Sequence, residues 1–302
     1  MEINMVITPG IEDLDYEYKD GIKHFTLIAE EVDLELIPGL FVKAWGYNGS
    51  VPGPTIKVRP NDKVCIRVIN NLPEETSVHW HGLEVPNDMD GVPPVEPSPY
   101  IYPGEYFDYH FKINNPPGTY MYHSHVNVMV QDNAGLLGGF IIEDPKDDKR
   151  KNFKDYLIVL QEWAADKLPW GDISKGNYEL TFKMPDFNFF TFNGKCYPLT
   201  KPLPVRYGDA VRIRYCNIQM HHHPIHLHGH QFKVVGADGF PIRKETQIYK
   251  NTMLVASGET WDIEFIAKNP GIWPLHCHMP HHVTNNGAPG IGGMFTTVNY
   301  IN

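Results

Sequence analysis

Leu275-His276-Cys277-His278-Met279-Pro280-His281-His282 lies near the end of the 302-residue chain and decides how the rest is interpreted. If this stretch begins as a β-strand, side chains alternate between its two faces, so His276 and His278 point one way and Cys277 the other. A metal bound by the thiolate would then be joined through a few covalent bonds to metals bound by the two imidazoles. This arrangement suits electron transfer. A buried thiol in a His-rich strand is the alternative, and it needs the rest of the chain to be poor in metal ligands.

The composition indicates a globular protein and disfavours two classes of partner. Lys and Arg number 26 against 36 Asp and Glu, and a net charge of −10 argues against nucleic-acid binding. No apolar run approaches the roughly 20 residues needed to span a bilayer. Met1–Ile11 has no basic segment followed by an apolar run, so no signal peptide is recognisable there. Four cysteines are too few for a disulfide framework, and whether Cys196 and Cys216 pair is left open.

The strand signals predict an all-β protein built from two copies of one unit. Residues 64–68 and 211–215 alternate Val, Ile or Tyr with Cys or Arg, which is typical of half-buried strands. Several motifs occur twice in the same order: Gly104-Glu105-x-x-Asp108 with Gly258-Glu259-x-x-Asp262, and His123-Ser124-His125 with His276-Cys277-His278. We therefore predict a tandem duplication of a β-sandwich, with domains at residues 1–148 and 149–302. The charged run at residues 143–151 is interpreted as a solvated linker.

Half of the 16 histidines form four His-x-His pairs, two in each predicted repeat. Residues two apart on a strand share a face, so each pair offers two imidazoles to one centre. Burying eight imidazoles without a metal would leave unsatisfied nitrogens, which is costly. The sequence therefore predicts metal binding by His79/His81, His123/His125, His226/His228 and His276/His278.

The second repeat adds ligands of another kind. His223 lies three residues before His226, and His282 follows Cys277 by five. His223, Cys277 and His282 would form a trigonal His₂Cys set, which a weak thioether completes as a blue-copper electron-transfer site. Ser124 occupies the corresponding position in the first repeat and supplies no thiolate, so one such site per chain is expected.

Four motifs together resemble those of the laccase-type multicopper oxidases in their two-domain form: His79-Trp80-His81-Gly82, His123-Ser124-His125, His223-Pro224-Ile225-His226-Leu227-His228-Gly229-His230, and His276-Cys277-His278 with His282. The resemblance implies two tandem cupredoxin-like Greek-key β-sandwiches. It implies four copper ions per subunit, namely one type 1, one type 2 and one type 3 pair. Electrons would pass from a reducing substrate through type 1 copper to a trinuclear cluster that reduces dioxygen to water. A secreted or periplasmic location is also implied, with a cytoplasmic one left open.

The resemblance also implies a role for each ligand. His79 and His226 match the type 2 ligands, and Cys277, His223 and His282 match type 1, with Cys277 as electron inlet and His282 as the edge nearest the substrate. The type 3 pair is matched by His81, His123, His125, His228, His276 and His278.

Two further residues carry expectations with alternatives. The family's axial type 1 ligand lies ten residues beyond the cysteine, where this chain has Gly287, so Met294 is the expected axial ligand behind an inserted loop. A core methionine is the alternative. Asp90, eleven residues after His79, matches an acidic residue that relays protons near the cluster of related oxidases. A turn aspartate before Gly91 is the alternative.

The remaining histidines divide into two groups. His221, His222 and His281 crowd the type 1 ligands, where they could bind a metal substrate, accept protons from a phenol or lie solvated at the surface. His24 and His110 receive no role, and His230 is expected to support a neighbouring ligand.

The resemblance also implies an assembly, because the ligand set is split between two domains. Two-domain relatives place the cluster between the first domain of one subunit and the second domain of the next, so a homotrimer is expected.

The leading function is oxidation of phenols or aromatic amines by dioxygen. A cuprous, ferrous or manganous ion oxidase is the close alternative, and a copper nitrite reductase or an electron-transfer copper protein is more distant. Scattered methionines and the non-acidic Val283 favour organic donors.

Overall fold

The computed structural model describes residues 6–182 and 186–301, in which β-sheets pack against one another. Strands account for 47% and helices for 7%, which confirms the predicted all-β fold class. Met1–Met5, part of the segment searched for a signal peptide, lie outside the described residues. Within the described ranges, the α-helix α1 (Val128–Ala134) has seven residues, and no helix has the length and apolarity to cross a membrane.

The first half of the chain contributes eight strands to two sheets: β1 (Tyr16–Lys19), β2 (Ile22–Ile37), β3 (Leu40–Tyr47), β4 (Gly53–Val58), β5 (Lys63–Asn70), β6 (Tyr106–Lys112), β7 (Gly118–His123) and β8 (Leu137–Ile142). One sheet has the order β3-β2-β5-β6 with β1 beside β2, and the other has the order β4-β8-β7. Their inner faces enclose an apolar core that includes Phe25, Ile66, Trp80 and Phe140. Helix α1 lies in the connection between β7 and β8.

The second half contributes thirteen strands: β9 (Phe153–Trp163), β10 (Gly176–Tyr178), β11 (Phe189–Phe192), β12 (Leu203–Val205), β13 (Ala210–Asn217), β14 (His223–Leu227), β15 (Phe232–Ala237), β16 (Phe240–Pro241), β17 (Tyr249–Lys250), β18 (Thr252–Val255), β19 (Thr260–Ile266), β20 (Ile272–Cys277) and β21 (Phe295–Tyr300). One sheet has the order β11-β9-β13-β19-β15-β16 with β17 beside β15, and the other has the order β12-β21-β20-β14-β18. Phe190, Ile213, Ile263 and Leu275 belong to the core between them.

The two halves repeat the same strand pairings. Strand β5 runs parallel to β2 and antiparallel to β6, just as β13 runs parallel to β9 and antiparallel to β19. A bridge pairs His79 with His123 in the first half, and His226 pairs with His276 in the second. These matching pairings are what a duplicated β-sandwich requires, and they bring the predicted histidine pairs together two by two.

The halves also share structure across the predicted boundary. Strand β10 pairs in parallel with β3 of the first half, and one core cluster combines Leu34 and Leu36 with Trp163 and Phe189. Strand β10 therefore lies after the predicted boundary but belongs to a sheet of the first half. The division between residues 148 and 149 stays a prediction. The four cysteines are free and buried, and Cys196 and Cys216 lie in different core clusters.

The charged run at residues 143–151 is only partly a solvated linker: Lys146, Lys149 and Lys151 are exposed, but two other side chains bond to the second half. Asp147 accepts a hydrogen bond of 2.7 Å from Arg212, and Arg150 donates one of 2.8 Å to Glu264. Both acceptors are largely shielded from solvent, with 14% and 24% of their side chains exposed. The run therefore fastens the connection between the halves to the sheet of β13 and β19.

Candidate metal centre

Three metal-ligating side chains meet where β20 ends. His223 begins β14, Cys277 ends β20, and His282 lies in the short 3₁₀ helix Pro280–Val283. The Cys277 Sγ lies 3.4 Å from Nδ1 of His282 and 4.0 Å from Nδ1 of His223, and the two Nδ1 atoms are 3.1 Å apart. All three residues have 0% exposure. The predicted trigonal set is therefore assembled within the second half.

Glu162 on β9 determines which nitrogen of His223 can bind a metal. Its carboxylate lies 3.1 Å from Nε2 of His223, and both side chains have 0% exposure. A carboxylate only accepts, so Nε2 carries the proton and Nδ1 of a neutral ring presents a lone pair to Cys277 and His282. Glu162 also accepts a 2.7 Å hydrogen bond from the backbone nitrogen of His221. Sequence reasoning missed this residue because nothing near Glu162 marks it as a partner of a distant histidine.

Met294 is fully buried and is bonded through its backbone to two of these three residues. Its carbonyl accepts a 3.0 Å hydrogen bond from the Cys277 nitrogen, and its own nitrogen donates one of 2.8 Å to the His282 carbonyl. Gly287, at the position where the family has its axial ligand, instead lies against the Trp170 indole. Met294 remains the proposed axial ligand on this placement.

The first histidine quartet consists of His79, His81, His123 and His125. Neighbouring ring centroids within it are 5.4 to 6.1 Å apart. Nδ1 of His79 donates to the Asp90 carbonyl at 3.0 Å, and Nδ1 of His123 donates to the Ser124 carbonyl at 2.7 Å. The opposite nitrogens are therefore free to face the middle of the quartet, where Nε2 of His123 lies 3.3 Å from Nδ1 of His81.

The second histidine quartet consists of His226, His228, His276 and His278, with ring centroids 4.8 to 5.8 Å apart. Nδ1 of His226 donates to the Asn251 carbonyl at 2.7 Å, and Nδ1 of His276 donates to the Cys277 carbonyl at 2.8 Å. Nε2 of His228 and Nε2 of His276 are only 3.0 Å apart. The carbonyl of Cys277 thus orients a histidine of the quartet while its sulfur belongs to the trigonal set.

These donor sets fit copper. Carbonyl acceptors fix the protons of four imidazoles on Nδ1 and leave a lone pair on each Nε2. The Nε2 atoms of His123 and His276 lie close to a nitrogen of a neighbouring ring, an arrangement that a cation between them would satisfy. Burial, followed by neighbouring histidine charges, lowers the pKa of His81 to about 4, and burial likewise lowers the pKa of His228 and of His276. Neutral imidazoles are the form that binds metal. Thiolate with imidazole suits copper, and the trigonal His₂Cys set suits a blue-copper site.

The two quartets do not meet within one chain. Among residues 6–182 and 186–301, no hydrogen bond and no ring contact joins a histidine of the first quartet to one of the second.

Comparison with known proteins agrees with this donor set. Two multicopper oxidase family models match residues 30–147 and 171–288. The chain belongs to the multicopper oxidase family. The structure of the multicopper oxidase mgLAC is 34% identical with a TM-score of 0.79, and the match covers 92% of this chain and 86% of that one. The blue copper oxidase from Nitrosomonas europaea is also 34% identical, with a TM-score of 0.78 and coverage of 92% and 85%.

Longer members of the multicopper oxidase family are also similar to this chain. Multicopper oxidase MmcO of Mycobacterium tuberculosis is 28% identical over 263 residues, which is 78% of this chain and 50% of that protein. The chain spans half or less of the length of the curated relatives that it matches. These relatives therefore carry sequence beyond the part that this chain matches.

Asp90 of this multicopper oxidase lies against His79 of the first quartet, and its role as a proton relay stays a prediction. Its Oδ1 is 3.4 Å from Nδ1 of His79, whose proton goes to the Asp90 carbonyl. A Cβ at Gly91 would lie 1.9 Å from the Val78 carbonyl oxygen, so only glycine allows this loop to approach so closely. Burial is the main cause of a raised pKa at Asp90; the charge of His79 opposes the rise, and Glu96 adds to it.

His282 is enclosed by aromatic rings. Phe190 stacks on it with 3.7 Å between centroids, His221 lies parallel at 5.6 Å, and His281 meets it edge-on at 4.3 Å. His281 and His222 are exposed, whereas His221 is half-buried. Among the rings that contact His282, that of His281 is exposed, and His282 as the edge nearest the substrate stays a prediction.

Two other contacts support the quartets. Oδ2 of Asp132, on α1, lies 3.3 Å from Nδ1 of His123. Burial by itself would lower the pKa of His123, but the Asp132 carboxylate outweighs this effect, so the pKa of His123 is raised. His230 donates from Nδ1 to the carbonyl of His228 at 3.1 Å and bonds to Tyr300 at 2.7 Å. The support expected of His230 is thus present, whereas Asp132 had no recognisable sequence signal.

Proposed function

We propose that this chain is a laccase-like oxidase that takes single electrons from phenolic or aromatic donors and delivers them to dioxygen. The observation that carries the proposal is the presence of three donor sets in one duplicated fold: one buried His₂Cys set and two histidine quartets. An electron-transfer protein needs only the first of these sets. A copper nitrite reductase would have its cysteine in the first repeat, where this chain has Ser124.

Copper bound in these sets would supply one-electron redox chemistry at the cysteine and reduction of dioxygen to water at the histidines. We assign type 1 copper to His223, Cys277 and His282 with Met294 as the axial ligand. We assign type 2 copper to His79 and His226. The type 3 pair is assigned to His81, His123, His125, His228, His276 and His278.

The chain itself provides the connection between the sets. Cys277 lies between His276 and His278, and its carbonyl accepts the Nδ1 proton of His276. The sulfur and the second quartet are therefore linked by a few covalent bonds, with no gap to cross through space. Burial raises the pKa of the Cys277 thiol to about 12, so the thiol proton leaves when a metal binds.

Donor oxidation takes place at the ring layer that covers His282. Phe190, His221 and His281 form this layer, and electrons from an outside donor pass through it to reach His282. Aromatic donors suit such a surface because flat rings stack on imidazole and phenyl groups. A metal-ion donor would instead need clustered acidic or thioether groups. Val283, the residue after His282, is not acidic, and none of the candidate metal-binding groups among the described residues is a carboxylate cluster beside His282.

Oxygen uptake by the copper-loaded protein tests this proposal. We expect uptake with a phenol and with an aromatic diamine, and little with cuprous or manganous salts. Copper-free protein is the control and should consume no oxygen. Uptake with the metal salts alone would replace the proposal with a metal-ion oxidase, and no uptake with any donor would refute oxidase function.

Asp90→Asn is expected to suppress turnover by about 100-fold while the blue absorption remains, because proton transfer by a positioned carboxyl contributes about that much. Reduction of dioxygen to water consumes protons, and Asp90 lies between His79 and the partly exposed Glu96. The measurement combines oxygen uptake with the visible spectrum. Asp88→Asn, on the exposed side of the same turn, is the matched control. Full activity in Asp90→Asn would remove the proton-relay role.

A further inference from the structure

Three adjacent strands of the first half place metal-ligating side chains in one row. His24 of β2 is in register with Cys65 of β5, and Cys65 is in register with His110 of β6. Their sequence neighbours Phe25, Ile66 and Phe111 face the core, so the row lies on the opposite face of the sheet. Cross-strand partners have Cβ atoms about 4.5–5.5 Å apart, close enough for their side chains to bind one metal ion.

The atoms in this row have the spacing of metal ligands. The Cys65 Sγ lies 3.8 Å from Nε2 of His110, and a carboxylate oxygen of Asp108 lies within 4.8 Å of both atoms. Around a tetrahedral zinc ion, metal–sulfur and metal–nitrogen bonds of about 2.3 and 2.0–2.1 Å separate S from N by about 3.6 Å. The observed separation therefore needs an adjustment of only a few tenths of an ångström.

The site is open to solvent and has a positioned oxygen ligand. His110 is exposed, whereas Cys65 is 6% exposed, so the thiol forms the floor of an open site. Arg67 holds the Asp108 carboxylate through two hydrogen bonds of 2.7 Å each. An ionised carboxylate has about four lone-pair sites, so Asp108 can accept both bonds and still bind a metal. Arg67 thereby fixes the position of this oxygen ligand.

We propose that Cys65, Asp108 and His110, here called the outer-face cluster, form a separate binding site for a thiophilic d¹⁰ cation, Zn²⁺ or Cu⁺. Thiolate with imidazole is the ligand combination that both ions accept, and the carboxylate adds a third ligand for zinc. The fourth position would be open to water or to His24, the register partner of Cys65. The Cys65 thiol proton passes to solvent as the thiolate binds. Among the described residues, no hydrogen bond joins the cluster to either histidine quartet or to Cys277.

Metal titration of the copper-loaded protein tests the cluster. The protein is dialysed against buffered Zn²⁺ and, anaerobically, against Cu⁺, and metal content is measured together with the rate of maleimide labelling at Cys65. We expect one additional ion per chain and at least tenfold slower labelling when it is bound. Binding of Zn²⁺ alone or of Cu⁺ alone each supports the site and identifies its ion.

Variants separate this site from adventitious binding. Cys65→Ser and His110→Gln are expected to weaken binding of the additional ion by at least about 100-fold, since even loss of an outer partner costs 10–100-fold. Asp108→Asn is expected to weaken it as well, whereas Asp33→Asn, which removes another strand carboxylate paired to a cation, should not. The blue absorption and oxygen uptake should stay unchanged in all of them.

The exposed His110 makes the result decisive even if Cys65→Ser fails to fold. An additional ion that binds equally well to His110→Gln, or no additional ion in the unaltered protein, would overturn the proposal. Neither result bears on the oxidase function, because the ligands assigned to copper are untouched.

Discussion

Two inactive variants are expected to regain about one third of the oxygen uptake when they assemble together, because a cyclic trimer of both kinds has one intact interface in three. The first variant carries His81→Gln and His125→Gln, and the second carries His228→Gln and His278→Gln. Each alone should consume no oxygen, since every trinuclear centre would lack ligands from one quartet. Coexpression with two different tags and purification on both isolates the mixed assemblies for measurement.

The expected restoration follows from the separation of the quartets. Among the described residues, no hydrogen bond or ring contact joins the two quartets of one chain. We propose that the centre takes its halves from neighbouring subunits. In a ring, each subunit presents its first quartet to one neighbour and its second quartet to the other. Any ring containing both variants has one junction where an intact first quartet faces an intact second quartet.

Both variants keep His223, Cys277 and His282, so the blue absorption reports that copper has loaded and the fold is intact. Assemblies that carry both tags and the blue colour but consume no oxygen would show that the centre forms within one chain. Assemblies of one variant with two different tags control for the effect of the tags and should remain inactive.

The copper motifs could be predicted from the sequence because their spacing is local. Residues two apart on a strand share a face, and the structure pairs His79 with His123 and His226 with His276 in register. The trigonal set was predictable for the same reason, since His282 follows Cys277 by one short turn.

What the sequence could not predict depends on packing between distant segments. Glu162 on β9 contacts His223 on β14, a strand of the other sheet, and Asp132 on α1 contacts His123 at the end of β7. Alternation at residues 211–215 correctly predicted a strand, but hydrophobic periodicity does not reveal what covers its second face. That face is occupied by the first half of the chain, and Arg214 is buried there with 3% of its side chain exposed.

Arg214→Met is expected to destabilise the protein by about 3–5 kcal/mol, the cost of removing one partner from a buried ion pair. Arg214 donates to both Asp155 oxygens at 2.8 Å, and its remaining nitrogen lies 3.2 Å from Asp262 and 2.8 Å from Thr119 of β7. Without the guanidinium, the carboxylates of Asp155 and Asp262 would lose their main cationic partner. Within the described network, the one ion pair left to them would be the 3.4 Å contact between Arg212 and Asp155. Chemical denaturation followed by tryptophan fluorescence measures the loss.

The loss should reflect charge and fork geometry rather than side-chain volume. Arg214→Lys keeps the charge but cannot donate in parallel to both Asp155 oxygens, so it should fall between the unaltered protein and Arg214→Met. Adding Asp155→Asn to Arg214→Met should lower the free energy of unfolding by less than the sum of the two single changes, because the second change removes a carboxylate that has already lost its main partner.

Arg206→Met, at an exposed arginine near the start of β13, is the control and should change the free energy of unfolding by no more than about 0.5 kcal/mol. If Arg214→Met is as mild as Arg206→Met, the network does not stabilise the contact between the halves, and the apolar clusters alone hold them together.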